Sequence, residues 1–252
     1  MRSSPGPETE RPLGGGNVNT VVRVGDTVRR SAGPWTPTVH ALLQHVRAAG
    51  VTCLPEPAGI DEQGREVLSW LRGEVGGWPI PAWVWAARTR AQAGAMLRAV
   101  HDATVDFHPT DAVWRSPAHE PAEVVCLNDV APYNMVHGPT GLVGLIDVDM
   151  ASPGPRVWDL AYLAYRICGW CEDMPAPDDA TPKQRLRELM AAYGDDALPA
   201  PDEVLAVAVV RLHDLADWTD ARAGALDRDD LRGHASMYRR DAAKVGRVRI
   251  SR

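Results

Sequence analysis

Lysine is almost missing from this 252-residue chain: of 27 basic residues only Lys183 and Lys244 are lysines, and the rest are arginines. Any chemistry that needs a cation before position 183 must therefore use Arg or His. Phenylalanine occurs once, as Phe107, against nine tryptophans. Four cysteines are too few for a disulfide framework in a chain this long. No apolar run approaches the roughly 20 residues that cross a bilayer. Met1 to Pro12 is polar and Pro-rich, without the apolar core of a secretory signal. The expectation is a soluble, cytoplasmic protein with a flexible segment over 1–12. Charge is mixed, with a net of −6, which argues against a nucleic-acid footprint and favours neutral or cationic partners. There is no Gly-x-Ser-x-Gly elbow, no His-Glu-x-x-His and no Walker Gly-Lys-Ser/Thr, so hydrolase, zincin and P-loop chemistry lack support. Cys168-Gly-Trp-Cys171 imitates a redox motif, but it ends a helical stripe instead of opening a helix after a strand.

What is present is ordinary globular material. A hydrophobic content of 45% excludes a wholly disordered chain, and the length allows one large domain or two lobes. Gly25-Asp26 between short β-branched runs predicts a hairpin over 19–30. Val39, Leu42, Leu43 and Val46 lie at helical spacing after Pro37, and Gly50 ends that helix. Two more strands flank Asp61-Glu62-Gln63-Gly64, and the Gly- and Pro-rich stretch 72–81 reads as a connector. One long helix is expected over 82–103. Further apolar stripes run through 157–168 and 205–216, with a last helix over 227–245. The fold class is α+β: a sheet-rich N-lobe over 13–74, and a larger helical C-lobe over 75–252 that carries a small hairpin.

The chemistry is concentrated between Cys126 and Ala161. Asp129 and Asn134 lie on a loop after the apolar strand Val124 to Leu127. His137 and Leu142 flank the turn Gly138-Pro139-Thr140-Gly141. If that turn closes a hairpin, Asn134 falls opposite Leu145, within about two residues of Asp147. Strand pairing alone thus gathers Asp129, Asn134 and Asp147 at one open end. Two carboxylates and an amide are hard oxygen ligands suited to a Mg²⁺ that keeps several waters and binds phosphates.

Asp129-x-x-x-x-Asn134, an apolar strand ending in Asp, and Asp159-Leu160-Ala161 have the layout of a kinase catalytic loop and metal Asp. The pattern resembles the aminoglycoside phosphotransferase family, a small-molecule branch of the protein-kinase-like fold. That family typically reads His-Gly-Asp or His-Asn-Asp, four residues, Asn, then Ile-Asp-x-Asp, then Asp-Leu-Ala. Here Leu127-Asn128-Asp129, Asn134, Ile146-Asp147-Val148-Asp149 and Asp159-Leu160-Ala161 occupy those places. The resemblance extends over nearly the whole chain and implies a bilobal kinase-like fold. It implies that Asp129 takes or orients the acceptor hydroxyl proton, and that Asn134 and Asp147 hold Mg²⁺ with Asp149 supporting the metal. Asp159 would brace the loop. Gly14, Gly15 and Gly16 would approach the phosphates of ATP or GTP, and Trp70, near the hinge, would face the base. The implied activity is transfer of the γ-phosphoryl group to a hydroxyl of a small molecule, an aminoglycoside or a related antibiotic.

Three positions depart from the family pattern. Leu127 stands where the family has His. The phosphate-contacting Lys of the third strand is missing; Arg30, on the face of Val28, is the candidate, with Arg29 as the exposed alternative. No acid occurs in 36–50 to pair with that cation, so His40 or Gln44 would stand nearby and leave Arg30 free for phosphate. These departures keep open a second reading, a nucleotide-binding or regulatory module without transfer. The acids Glu172, Asp173, Asp178 and Asp179 read either as a solvated loop or as an attraction for a polycationic substrate.

Overall fold

The Gly25-Asp26 turn closes a hairpin because Gly25 adopts φ of +57°, a conformation glycine reaches without steric cost. Its strands, β2 (Val21–Val24) and β3 (Thr27–Ser31), belong to an antiparallel sheet in the order β1-β2-β3-β5-β4. The others are β1 (Arg11–Leu13), β4 (Pro57–Ile60) and β5 (Arg65–Ser69). Residues 10–13, 21–194 and 198–249 are described by the computed structural model of the chain. Arg11 and Pro12, expected in a flexible segment, are thus paired with β2. The β3–β5 register sets Arg30 directly opposite Glu66, on the same face as Val28 and Leu68. Helix α1 (Thr36–Ala48) starts at Pro37 and buries Val39, Leu42, Leu43 and Val46. Each of these side chains contributes about 1.5–3 kcal/mol of burial.

The connector is not featureless. It contains β6 (Glu74–Val75), which pairs with β8 (Met135–Gly138), and β8 pairs with β9 (Gly141–Leu145). The lobe boundary expected between residues 74 and 75 therefore falls inside a strand. This small sheet abuts the N-terminal part: Leu145 N donates to Cys53 O at 2.8 Å. A Cβ on Gly144 would lie 2.2 Å from that oxygen, so only glycine permits the approach. The strand β7 (Val124–Cys126) pairs instead with β10 (Ser152–Gly154), which sequence patterning missed.

The long helix expected over 82–103 is broken. A 3₁₀ turn spans Ala82–Trp85, Ala86 is extended, and α2 runs from Ala87 to Ala103. The break has a local cause, since side chains capture the carbonyls that a continuous helix would use. Thr89 Oγ1 donates to Trp83 O, and the buried Arg90 donates to Trp85 O, each at 2.5 Å. The remaining helices are α3 (Arg156–Ile167), α4 (Pro182–Tyr193), α5 (Pro201–Leu226) and α6 (Asp229–Val245). Helix α5 packs on α3 and α6, and α2 packs on α4. Among the described residues, no helix is long and apolar enough to cross a membrane.

Candidate active site

The β8–β9 hairpin carries a bulge between Val136 and His137. Without it, counting back from the Gly138–Gly141 pair would place Asn134 opposite Leu145. The extra residue advances the register, so Met135 pairs with Leu145, and Ile146 N donates to Asn134 O at 2.9 Å. Asn134 thereby lies opposite the residue that precedes Asp147, one step closer than simple pairing predicts.

Asp129 is fixed from two sides. Tyr133 Oη donates to its Oδ1 at 2.6 Å, and Asn134 Nδ2 donates to its Oδ2 at 3.0 Å and to its backbone carbonyl at 2.9 Å. Burial pushes the Asp129 carboxyl above the ordinary range, against the Tyr133 hydrogen bond, and the charge of Asp147 adds to the rise. Asp147 itself adopts φ of +60° and is 50% exposed. The left-handed region is open to Asp at modest cost, and it turns the carboxylate out of the strand end.

The loop is braced from below. Asp159, fully buried, accepts from Leu127 N at 2.5 Å, Asn128 N at 2.7 Å and His101 Nε2 at 3.2 Å. Burial opposes its ionisation, but the hydrogen bonds from His101 and Leu127 and the charge of Arg211 prevail and hold its carboxyl below the usual range. Arg211, from α5, donates to the carbonyl of Asn128 and stacks on Trp158 and Tyr162. Nothing in the local sequence marks this residue, which lies 83 positions from its partner. Ligand atoms of His101, Cys126 and Asp159 lie within 4.8 Å of one another. Since His101 and Asp159 are spent on each other and on the backbone, that grouping belongs to the brace.

The surroundings of Arg30 differ from expectation. It is not left free by a missing acid, because Glu66, from β5, supplies the carboxylate that α1 lacks. Glu66 is buried and also accepts from His40 Nε2 at 2.9 Å, so His40 does stand nearby, on the acid. The Arg30 guanidinium further donates to Asp147 Oδ1 at 2.8 Å and to Asp149 Oδ1. The other oxygen of Asp149 faces Arg115 at 3.4 Å. Asp149 is thus a buried counter-ion between two guanidinium groups. Burial raises its carboxyl pKa despite Arg30. Burial opposes the charge on Arg30, yet Asp149, Glu66 and Asp147 raise its pKa far above the usual arginine value. Arg29 turns to the other face and pairs with Asp61 at 3.6 Å. Trp70 is half-buried, with the Arg23 guanidinium 5.0 Å above its ring. Gly14, Gly15 and Gly16 lie outside the described residues.

The acidic loop after α3 is largely neutralised within the chain. Arg240 grips Glu172 with two hydrogen bonds, Arg185 takes Asp179, and Asp173 accepts from Cys171 and lies 3.6 Å from Arg166. Cys168 and Cys171 are buried and unbridged, and burial pushes both thiols up to about 12, opposite to the shift a redox pair needs.

Residues 110–207 match the model of the phosphotransferase enzyme family, the class that the motifs resemble. Fold and motif together bear out the resemblance to the kinase-like small-molecule phosphotransferases. The chain is similar to the trifolitoxin immunity protein of Rhizobium leguminosarum bv. trifolii, with 38% identity over 148 residues. That stretch is 56% of this chain and 55% of that protein, so the chain spans about half the length of this curated relative. Two solved structures share the fold. A choline/ethanolamine kinase family protein from Mesorhizobium loti is 18% identical, covering 95% of this chain and 88% of that one at a TM-score of 0.66. The GDP complex of aminoglycoside 2'-phosphotransferase-IIIa is 14% identical, covering 95% and 94% at a TM-score of 0.61.

Proposed function

We propose that the protein transfers the γ-phosphoryl group of ATP or GTP to a hydroxyl of a small molecule of the antibiotic or toxin class. The observation that carries this reading is the Asp129 carboxylate, gripped by Tyr133 and by Asn134, the residue that the hairpin bulge brings next to Asp147. Asp129 orients the acceptor hydroxyl and receives its proton. Its raised pKa, caused by burial, makes it a better base than an exposed Asp. Asn134 and Asp147 are hard oxygen donors at adjacent strand ends, a set that fits Mg²⁺; when bound, that ion would neutralise nucleotide phosphates. Asp149 acts in this reading through Arg30, not as a ligand. Arg30 contributes positive charge beside Asp147, Trp70 offers a ring to the base, and Gly14, Gly15 and Gly16 would cover the phosphates. The N-lobe over 13–74 would hold the nucleotide, and the C-lobe over 75–252 the acceptor.

The toxin-class acceptor draws on the name of the 38% identical relative, an immunity protein. The aminoglycoside reading loses its charge support, because Glu172 and Asp179 already have arginine partners and Asp173 accepts a hydrogen bond from Cys171. The test is an intact-mass screen of antibiotics and metabolites for a gain of roughly 80 Da, the mass of a phosphoryl group. Asp129→Ala should lose transfer and keep nucleotide affinity, and undiminished turnover in that variant would refute the role of Asp129. The second reading, a nucleotide-binding module, is favoured by one observation: Arg30 is spent on three carboxylates. Nucleotide binding with no product across the panel would favour it.

A further inference from the structure

Five arginines are buried among the described residues, and four of them hydrogen-bond to oxygen acceptors, although the Nε of Arg185 is left without a partner. Arg30 has carboxylates, Arg90 has Glu188 and Trp85 O, Arg185 has Asp179 and Pro177 O, and Arg211 has Asn128 O. Arg166, on α3 and 5% exposed, has an ion pair to Asp173 at 3.6 Å but no hydrogen bond to oxygen. Its Nη1 and Nη2 donate only to sulfur, to Cys171 Sγ at 3.1 Å and Met174 Sδ at 2.9 Å. Its Nε is buried without a partner, and its nearest carboxylate oxygen, on Asp173, stays at 3.6 Å. Thiol and thioether are weak acceptors, whereas a buried guanidinium calls for charge-assisted bonds.

The position of this cation gives it meaning. Its guanidinium lies 5.4 Å from the ring of Tyr133, whose hydroxyl is on Asp129 and 3.0 Å from Tyr162 Oη. Tyr238, on α6, lies within electrostatic reach of both Arg166 and Asp129. A half-exposed phenol therefore links the carboxylate that would meet the acceptor hydroxyl to an under-satisfied positive charge.

We propose that Arg166 receives a carboxylate of the acceptor, so that the substrate is a hydroxyl compound carrying an acid group and not a polycation. This rests on the reading of Asp129 as the acceptor-side carboxylate. The incoming oxygens replace the sulfur of Met174, whose unbranched side chain swings aside readily, while Tyr133, Tyr162 and Tyr238 pack the body of the molecule.

The test uses the full chain with no nucleotide and no added metal, titrated calorimetrically with three probes of one shape. These are 4-(hydroxymethyl)benzoate, its carboxamide, and 4-(aminomethyl)benzyl alcohol. The acid is expected to bind at least about tenfold more tightly than the amide, about 1.4 kcal/mol, with the amine weakest. Arg166→Gln should bring acid and amide within about twofold. Met174→Leu, which removes a sulfur acceptor and keeps the cation, should preserve or widen the preference, and it decides the matter if the arginine variant does not fold. Equal binding of acid and amide, preference for the amine, no binding of any probe, or a preference lost in Met174→Leu overturns the proposal. Acid preference without phosphoryl transfer to any alcohol would count against the role of Asp129 alone. Transfer to amines over acids would count against Arg166 alone.

Discussion

Replacing Asp159 by Asn changes one atom and should cost the protein a large share of its stability. The carboxylate is fully buried and accepts from two backbone amides, at 2.5 and 2.7 Å, and from His101. An Asn has one oxygen, so its amino group must confront either Leu127 N or Asn128 N. One unsatisfied buried N–H costs about 1–3 kcal/mol, and the lost charge on the remaining bonds adds about 1 kcal/mol. A total of about 3 kcal/mol lowers the Tm by roughly 6–12 °C for a chain of this size. The difference should also depend on pH in a defined sense. The folded carboxyl pKa is held below its unfolded value, so its contribution is complete above about pH 4 and fades as pH falls through the folded pKa. Thermal unfolding of both proteins between pH 7 and pH 3 measures this directly, with the gap in Tm narrowing at the acid end. A variant within about 2 °C of the parent at pH 7 would refute the bracing role of Asp159, since it corresponds to under 1 kcal/mol.

Tyr133→Phe removes a hydrogen bond that favours the ionised Asp129, so the acid limb of the pH–kcat profile should move to higher pH; a limb that stays put would detach Tyr133 from Asp129. In Asp147→Ala, Mg²⁺-dependent nucleotide binding should collapse, and an unchanged metal titration would count against its role. Glu66→Gln should lower the urea midpoint by an amount equivalent to about 2 kcal/mol. That is less than the roughly 3–5 kcal/mol of a wholly broken buried pair, because Asp147 and Asp149 remain on Arg30. An unshifted midpoint would show that Glu66 is not needed there.

Elements with a strong local period were legible in the sequence. The spacing of Val39, Leu42, Leu43 and Val46 gives α1, the Gly25-Asp26 turn gives its hairpin, and the order of Asp129, Asn134 and Asp147 gives the open end of the site. What stayed hidden depends on distant partners or on single-residue slips. The bulge at Val136 and His137 leaves no signature in composition, yet it sets which residue Asn134 faces. Glu66 is 36 positions from Arg30, and its role emerges only once β3 and β5 are in register. Opposite charges at the paired positions were the available clue. The break at Ala86 was hidden for a related reason: Thr89 and Arg90 are good local citizens of a helix, and only their bonds back to Trp83 and Trp85 reveal that they end the preceding turn.

Arg30 ties β3 to the turn after β9 across a sequence gap of 117 residues. Swinging the five-stranded sheet away from that turn would strand a guanidinium that has almost no solvent around it. Stranding one partner of a buried pair costs on the order of 3–5 kcal/mol, enough to make a gaping form a rare excursion at room temperature. The five-stranded sheet and the turn after β9 are thereby latched by a side chain, and their separation at that point is set by the reach of one arginine.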